Sequence, residues 1–174
     1  MTSGLLNTSD PSERLIRSLT DQPLLVVMRP GSNDYQNPFE STRLCQQLDQ
    51  LVAAGVLHVE LAWAAHPRWP ALVEAIGKRH PKLRLGAASV STLPALQEVA
   101  DLGLGYAMSP LLDPELQSKA RALCCVLVPG VMTPSEIRSA QALGCSLVKL
   151  FPASVLGVDY RRQISVPMGE LPFM

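Results

Sequence analysis

Cys124-Cys125-Val126-Leu127-Val128-Pro129-Gly130-Val131-Met132-Thr133-Pro134-Ser135-Glu136 condenses one structural repeat into a single stretch of chain. Its apolar start predicts a strand over Cys124–Val128, closed by the turn formers Pro129 and Gly130. Thr133 then stands where a helix N-cap is required. Pro134 follows at the first helical position, where a missing N–H costs nothing, and Glu136 is spaced to complete a capping box. Gly144 ends the helix, and Ser146–Leu150 reads as the next strand. Glu136 is therefore assigned to the helix start rather than to chemistry.

The same order recurs toward the N-terminus. Candidate strands are Leu24–Met28, Leu57–Leu61, Leu83–Ala87 and Tyr106–Ser109. Prolines mark helix starts at Asn37-Pro38, His66-Pro67, Leu93-Pro94 and Asp113-Pro114, with Glu40 offering a second capping box after Asn37. Gly55 and Gly103 close helices. Ser9–Leu19, with Leu15, Ile16 and Leu19 on one face, predicts an extra helix that covers the bottom of a barrel. The six units fit either a doubly wound sheet or most of a (β/α)8 barrel. No Gly-x-Gly-x-x-Gly follows the first strand, which argues against a dinucleotide-binding sheet. The final apolar residues, Leu171-Pro172-Phe173-Met174, resemble the beginning of another strand.

The 174 residues suffice for one domain. They carry 15 basic and 15 acidic side chains, a formal net charge of zero, so no basic surface points to nucleic acid or an anionic membrane. The expected partner is a small molecule or a protein. Cys45, Cys124, Cys125 and Cys145 lack metal-ligand spacing and sit in apolar runs as small hydrophobes, so neither a metal nor another cofactor is expected. Met1–Gln22 has no export-type apolar segment, and no run approaches the roughly 18 residues of a membrane span. A cytoplasmic protein with no membrane partner is the expectation.

In parallel α/β folds, chemistry gathers where strands end and βα loops begin. Arg29, Glu60, Ser89, Pro110, Gly130 and Lys149 occupy those places. Lys149 lies within an apolar strand-like run, where burial disfavours its charged form and leaves a free amine able to attack a ketone. A lysine facing solvent on an edge strand fits the same spacing. Glu60 is the other ionisable residue deep in an apolar run; it suits proton relay, with a buried ion-pair network to Lys149 or Arg29 as the alternative. Arg29 can grip a carboxylate or form a barrel-mouth salt bridge, and Ser89 can donate to a ligand or cap a helix. Trp63 and Trp69 read as packing residues, and His58, His66 and His80 show no zinc spacing.

From about Leu24 onward, the ordered motifs resemble the bacterial 2-keto-3-deoxy-6-phosphogluconate and 4-hydroxy-2-oxoglutarate aldolase family. They are Val27-Met28-Arg29, Val59-Glu60-Leu61, Gly86-Ala87-Ala88-Ser89-Val90, Ser109-Pro110, Pro129-Gly130-Val131 and Val148-Lys149-Leu150-Phe151-Pro152. The resemblance implies an α/β fold of (β/α)8 TIM-barrel type, here incomplete. About six of the eight βα units would lie in one domain over residues 1–174, with residues 1–22 as a helical extension. It also implies a trimeric class I aldolase that cleaves a 2-keto-3-deoxy sugar acid phosphate or 4-hydroxy-2-oxoglutarate to pyruvate and an aldehyde. Lys149 would form the iminium and Glu60 would shuttle protons. Arg29, Ser89, Pro110, Gly130 and Phe151 would shape the pyruvate site. The family usually runs Glu-Val-Thr-Leu-Arg-Thr where this chain has Glu60-Leu61-Ala62-Trp63-Ala64-Ala65, placing Ala64 at an arginine position. The family pattern also extends through a further Gly-Gly turn and strand. The alternative expectation is therefore a catalytically impaired barrel remnant acting through protein association, or a fragment of a longer aldolase.

Overall fold

The computed structural model describes residues 10–157 and 159–168. Helix α1 (Pro11–Asp21) precedes strand β1 (Leu25–Met28), a short α2 (Ser32–Gln36), a 3-10 turn (Phe39–Ser41) and α3 (Arg43–Ala53). Strand and helix then alternate through β2 (His58–Ala62), α4 (Trp69–Arg79), β3 (Arg84–Ala88), α5 (Leu93–Asp101), β4 (Ala107–Met108) and α6 (Pro114–Ala122). The chain continues through β5 (Leu127–Val128), β6 (Gly130–Val131), α7 (Pro134–Ala142), β7 (Lys149–Leu150), α8 (Ala153–Leu156) and α9 (Tyr160–Met168).

All pairings are parallel, and the ladder runs β1-β2-β3-β4-β5 in chain order before passing to β6-β7. Pro129, which has no N–H to donate, separates β5 from β6. The strand run bonds to β4 before it and to β7 after it, where Lys149 N–H donates to the Pro129 carbonyl at 3.0 Å. A doubly wound sheet would reverse direction at a switch point. This strictly sequential order instead makes the fold a partial barrel of TIM type.

The main core lies between the outer face of the strands and the helices. It joins Val59, Leu61, Leu85 and Ala87 to Leu44, Leu48, Trp69, Ile76, Leu96 and Val99. A second cluster fills the inner face: Leu15 of α1 meets Tyr106, Met108, Val128 and Leu147, with Ile16 and Leu19 beside them. Helix α1 thus covers the N-terminal end of the strands. Asp10 caps it by accepting from the Ser12 N–H, and Ser18 Oγ lies 2.6 Å from His58 Nε2 in a buried contact.

Several local expectations shift. The strand expected over Cys124–Val128 begins only at Leu127. The preceding residues finish α6 instead: Cys124 adopts φ 53°, and the Cys125 N–H donates to the Ala120 carbonyl at 2.9 Å. A helix termination of the kind usually given to glycine is thus made by cysteine, which hid it in the sequence. Asn37-Pro38 opens only the 3-10 turn, and α3 is capped by Thr42. Pro67 lies in a turn, and the α4 proline is Pro70. The Thr133 and Glu136 capping box forms as expected. Leu171–Met174 fall outside the described residues.

Candidate active site

Every residue of β2 is buried. Because Val59 and Leu61 pack outward on the helices, strand alternation turns His58, Glu60 and Ala62 to the inner face. Glu60 is 3% exposed, and desolvation pushes its carboxyl up to about 7, with Lys149 and Arg29 opposing that rise. Its ladder partner on β3 is Gly86. A Cβ there would fall 2.4 Å from the Tyr106 ring, so only glycine fits beneath that side chain.

Lys149 opens β7, and burial holds its ammonium below the ordinary lysine value; Glu60 opposes that fall and Arg29 adds to it. Its Nζ lies 5.0 Å from the centroid of the Phe151 ring, which is itself 45% exposed. Although β7 is an edge strand among the described residues, its lysine is partly buried and within the fields of Glu60 and Arg29. The ion pairs among the described residues all lie elsewhere, so Glu60 has no cationic partner within 4.0 Å. The arrangement is an acid/base pair held more than 4.0 Å apart, not a closed salt bridge. Burial pushes both groups toward their neutral forms.

Arg29 follows β1, and its guanidinium donates to Ser89 Oγ at 3.5 Å, the outer limit of a hydrogen bond. Ser89 follows β3 in a left-handed conformation, φ 63°, while Thr92 makes the α5 cap. Capping therefore does not use Ser89. Pro110 and Gly130 meet through backbone: a Cβ on Gly130 would lie 2.6 Å from the Pro110 carbonyl oxygen. The close approach explains the glycine and leaves neither residue a polar side chain to offer. Trp63 and Trp69 are held by packing and single hydrogen bonds, to Glu98 and to the Ala62 carbonyl. Among the described residues no group of three or more His, Cys, Asp or Glu gathers as a metal site.

Two residues of the inner face escaped the sequence reading. Tyr106 begins a run too short to show alternation, and Ser18 sits on a helix whose contacts are all remote in the chain. The small residue at position 86, level with Glu60, was the available signal for the first.

A lysine and a carboxyl, both desolvated and both carried on parallel strands, mark the candidate site of an α/β-barrel protein. A family model described as KDPG and KHG aldolase matches residues 38–174, and the chain belongs to that family. It is 32% identical to the KHG/KDPG aldolase of Escherichia coli K12 over 124 residues, 71% of this chain and 58% of that protein. The chain spans about half the length of the curated relatives it matches. A solved 4-hydroxy-2-oxoglutarate/2-dehydro-3-deoxyphosphogluconate aldolase from TTHB1 superposes with a TM-score of 0.76 at 26% identity, covering 95% of this chain and 76% of that one. The fold is also that of a KDPG aldolase from Legionella pneumophila, solved with pyruvate captured at low pH as a covalent carbinolamine (TM-score 0.74, 22% identity, 95% and 74% covered).

Proposed function

We propose that this chain carries class I aldolase chemistry, cleaving a 2-keto-3-deoxy sugar acid phosphate or 4-hydroxy-2-oxoglutarate to pyruvate and an aldehyde. The observation that carries the reading is the Glu60 and Lys149 pair, desolvated together on the inner face with no ion pair between them. A neutral Lys149 amine attacks the C2 ketone, and the carbinolamine loses water to give an iminium. When the C3–C4 bond breaks, its electron pair moves into the iminium and leaves an enamine, while the C4 hydroxyl loses its proton and becomes the aldehyde. Protonation of the enamine carbon and hydrolysis return pyruvate and the free amine. Glu60, with a carboxyl near 7, can both take and return those protons at neutral pH.

Arg29 and Ser89 together form a donor pair for the pyruvate carboxylate, and Phe151 walls the amine. Pro110 and Gly130 contribute shape. The carbinolamine captured on the Legionella pneumophila relative supports the same first step here. The reading includes homo-oligomers, with the trimer implied by the family resemblance, and a cytoplasmic setting. Among the described residues no helix is long and apolar enough to cross a membrane.

The test is borohydride reduction in the presence of pyruvate, followed by peptide mass analysis. A stable adduct on the Lys149 peptide, absent from Lys149→Ala, is the expected result. A folded sample that yields no adduct overturns the assignment. A second reading, a barrel acting through association, draws on the outer strand β1, where Val27, and Leu24 just before the strand, are 45% and 50% exposed. An inert but specific oligomer would favour it.

A further inference from the structure

Tyr106 is 2% exposed and immediately precedes β4, two strands from Glu60. Its ring does not stay over its own strand. It lies across β3 on the bare backbone of Gly86, where a Cβ would meet three of its ring carbons at 2.4 to 2.7 Å. Its hydroxyl reaches toward the carbonyls of Val59 on β2, at 3.4 Å, and Arg84 on β3, at 3.5 Å. The Val59 carbonyl immediately precedes Glu60 and the Arg84 carbonyl lies two residues before Gly86, so the Tyr106 hydroxyl is on the N-terminal side of Glu60 along both strands. Tyr106 belongs to the same buried cluster as Leu15 of α1, Met108, Val128 and Leu147.

We propose that Tyr106 is a positioning residue for the acid/base step, closing the floor beneath Glu60 so that its carboxyl meets water and substrate only from the C-terminal mouth of the barrel. The inference rests on the aldolase reading of Glu60 and deepens it. A carboxyl open on one side exchanges protons on the Lys149 side alone, whereas a channel through the barrel would hydrate it and return it to an ordinary acidity. Gly86 is the enabling residue: a side chain at the position paired with Glu60 would hold the ring off β3 and open the floor. The hydroxyl contacts are long, and the aromatic plane makes the seal.

The test is direct titration of Glu60 by carbon NMR of 13C-labelled glutamate carboxyls, assigned with Glu60→Gln, in wild type, Tyr106→Phe, Tyr106→Leu and Gly86→Ala. Phenylalanine keeps the plane and is expected to leave the midpoint near that of wild type. Leucine is too short to cross β3, so its midpoint is expected to fall by about one unit or more toward the ordinary glutamate value of 4.5. Gly86→Ala attacks the same seal from the opposite strand and is expected to move it in the same direction. Circular dichroism identifies any variant that fails to fold, and the other floor variant then carries the test. A folded Tyr106→Leu or Gly86→Ala protein whose Glu60 midpoint equals that of wild type overturns the proposal. Borohydride trapping on the same wild-type sample separates the two claims. Trapping with an unmoved midpoint removes the floor, whereas no trapping with a Tyr106-dependent midpoint removes the aldolase reading and leaves the floor standing.

Discussion

Replacing Glu60 by glutamine should make the protein more stable at alkaline pH and leave it nearly unchanged in acid. Burial raises the folded-state carboxyl from its ordinary 4.5 to about 7. Below the lower value both folded and unfolded chains hold the proton, and no penalty exists. Between the two values the unfolded chain has released it while the folded chain keeps it, so stability declines as pH rises. Above about 7 both are ionised, and the folded state bears the full cost of a buried carboxylate. At about 1.4 kcal/mol per pH unit, that cost is about 3 kcal/mol. Because Glu60 is almost wholly buried, solvent screening removes little of it. Glutamine keeps the shape and stays neutral. Urea denaturation followed by circular dichroism should show the stability curves of wild type and Glu60→Gln meeting near about pH 4 and separating steadily to about pH 8. Lys149, whose folded-state value is lowered, costs stability wherever it is charged and gives that cost back only as pH rises on the alkaline side, a slope opposite to that of Glu60. A constant gap between the two proteins across the whole range would refute the account of Glu60 as a desolvated, unpaired carboxyl.

Gly130→Ala sets a Cβ 2.6 Å from the Pro110 carbonyl oxygen and 3.0 Å from that of Ser109, both backbone, so about 1–3 kcal/mol should be lost in thermal melts; an unchanged melting temperature would contradict that packing. Ser18→Ala removes the buried partner of His58 Nε2 and should cost about 1–3 kcal/mol, with hydrogen exchange rising across Pro11–Asp21. Glu136→Ala breaks the α7 capping box at about 1 kcal/mol, and pyruvate trapping on Lys149 should remain; its loss would show Glu136 to be more than a cap. Arg79→Ala, by contrast, opens an exposed pair with Asp49 and should change stability by less than about 1 kcal/mol in the same melts.

Local chemistry alone determined the repeated strand, cap and helix order, the Thr133 start and the suspicion attached to Lys149 and Glu60. Each depends on neighbours within a few residues: a proline at a first turn, a charge inside an apolar run. Strand ends were less legible, because Cys124 takes the left-handed conformation on contacts that α6 supplies rather than on its own preference. Tertiary structure decided what no short window contains. The sequential strand order chose a barrel arc over a doubly wound sheet, since pairing partners lie tens of residues apart. Burial from several elements at once raised Glu60 and lowered Lys149 without joining them in an ion pair. Only the folded inner face could lay Tyr106 across Gly86, because that contact belongs to the stacking of β2, β3 and β4 and leaves no local trace in the chain.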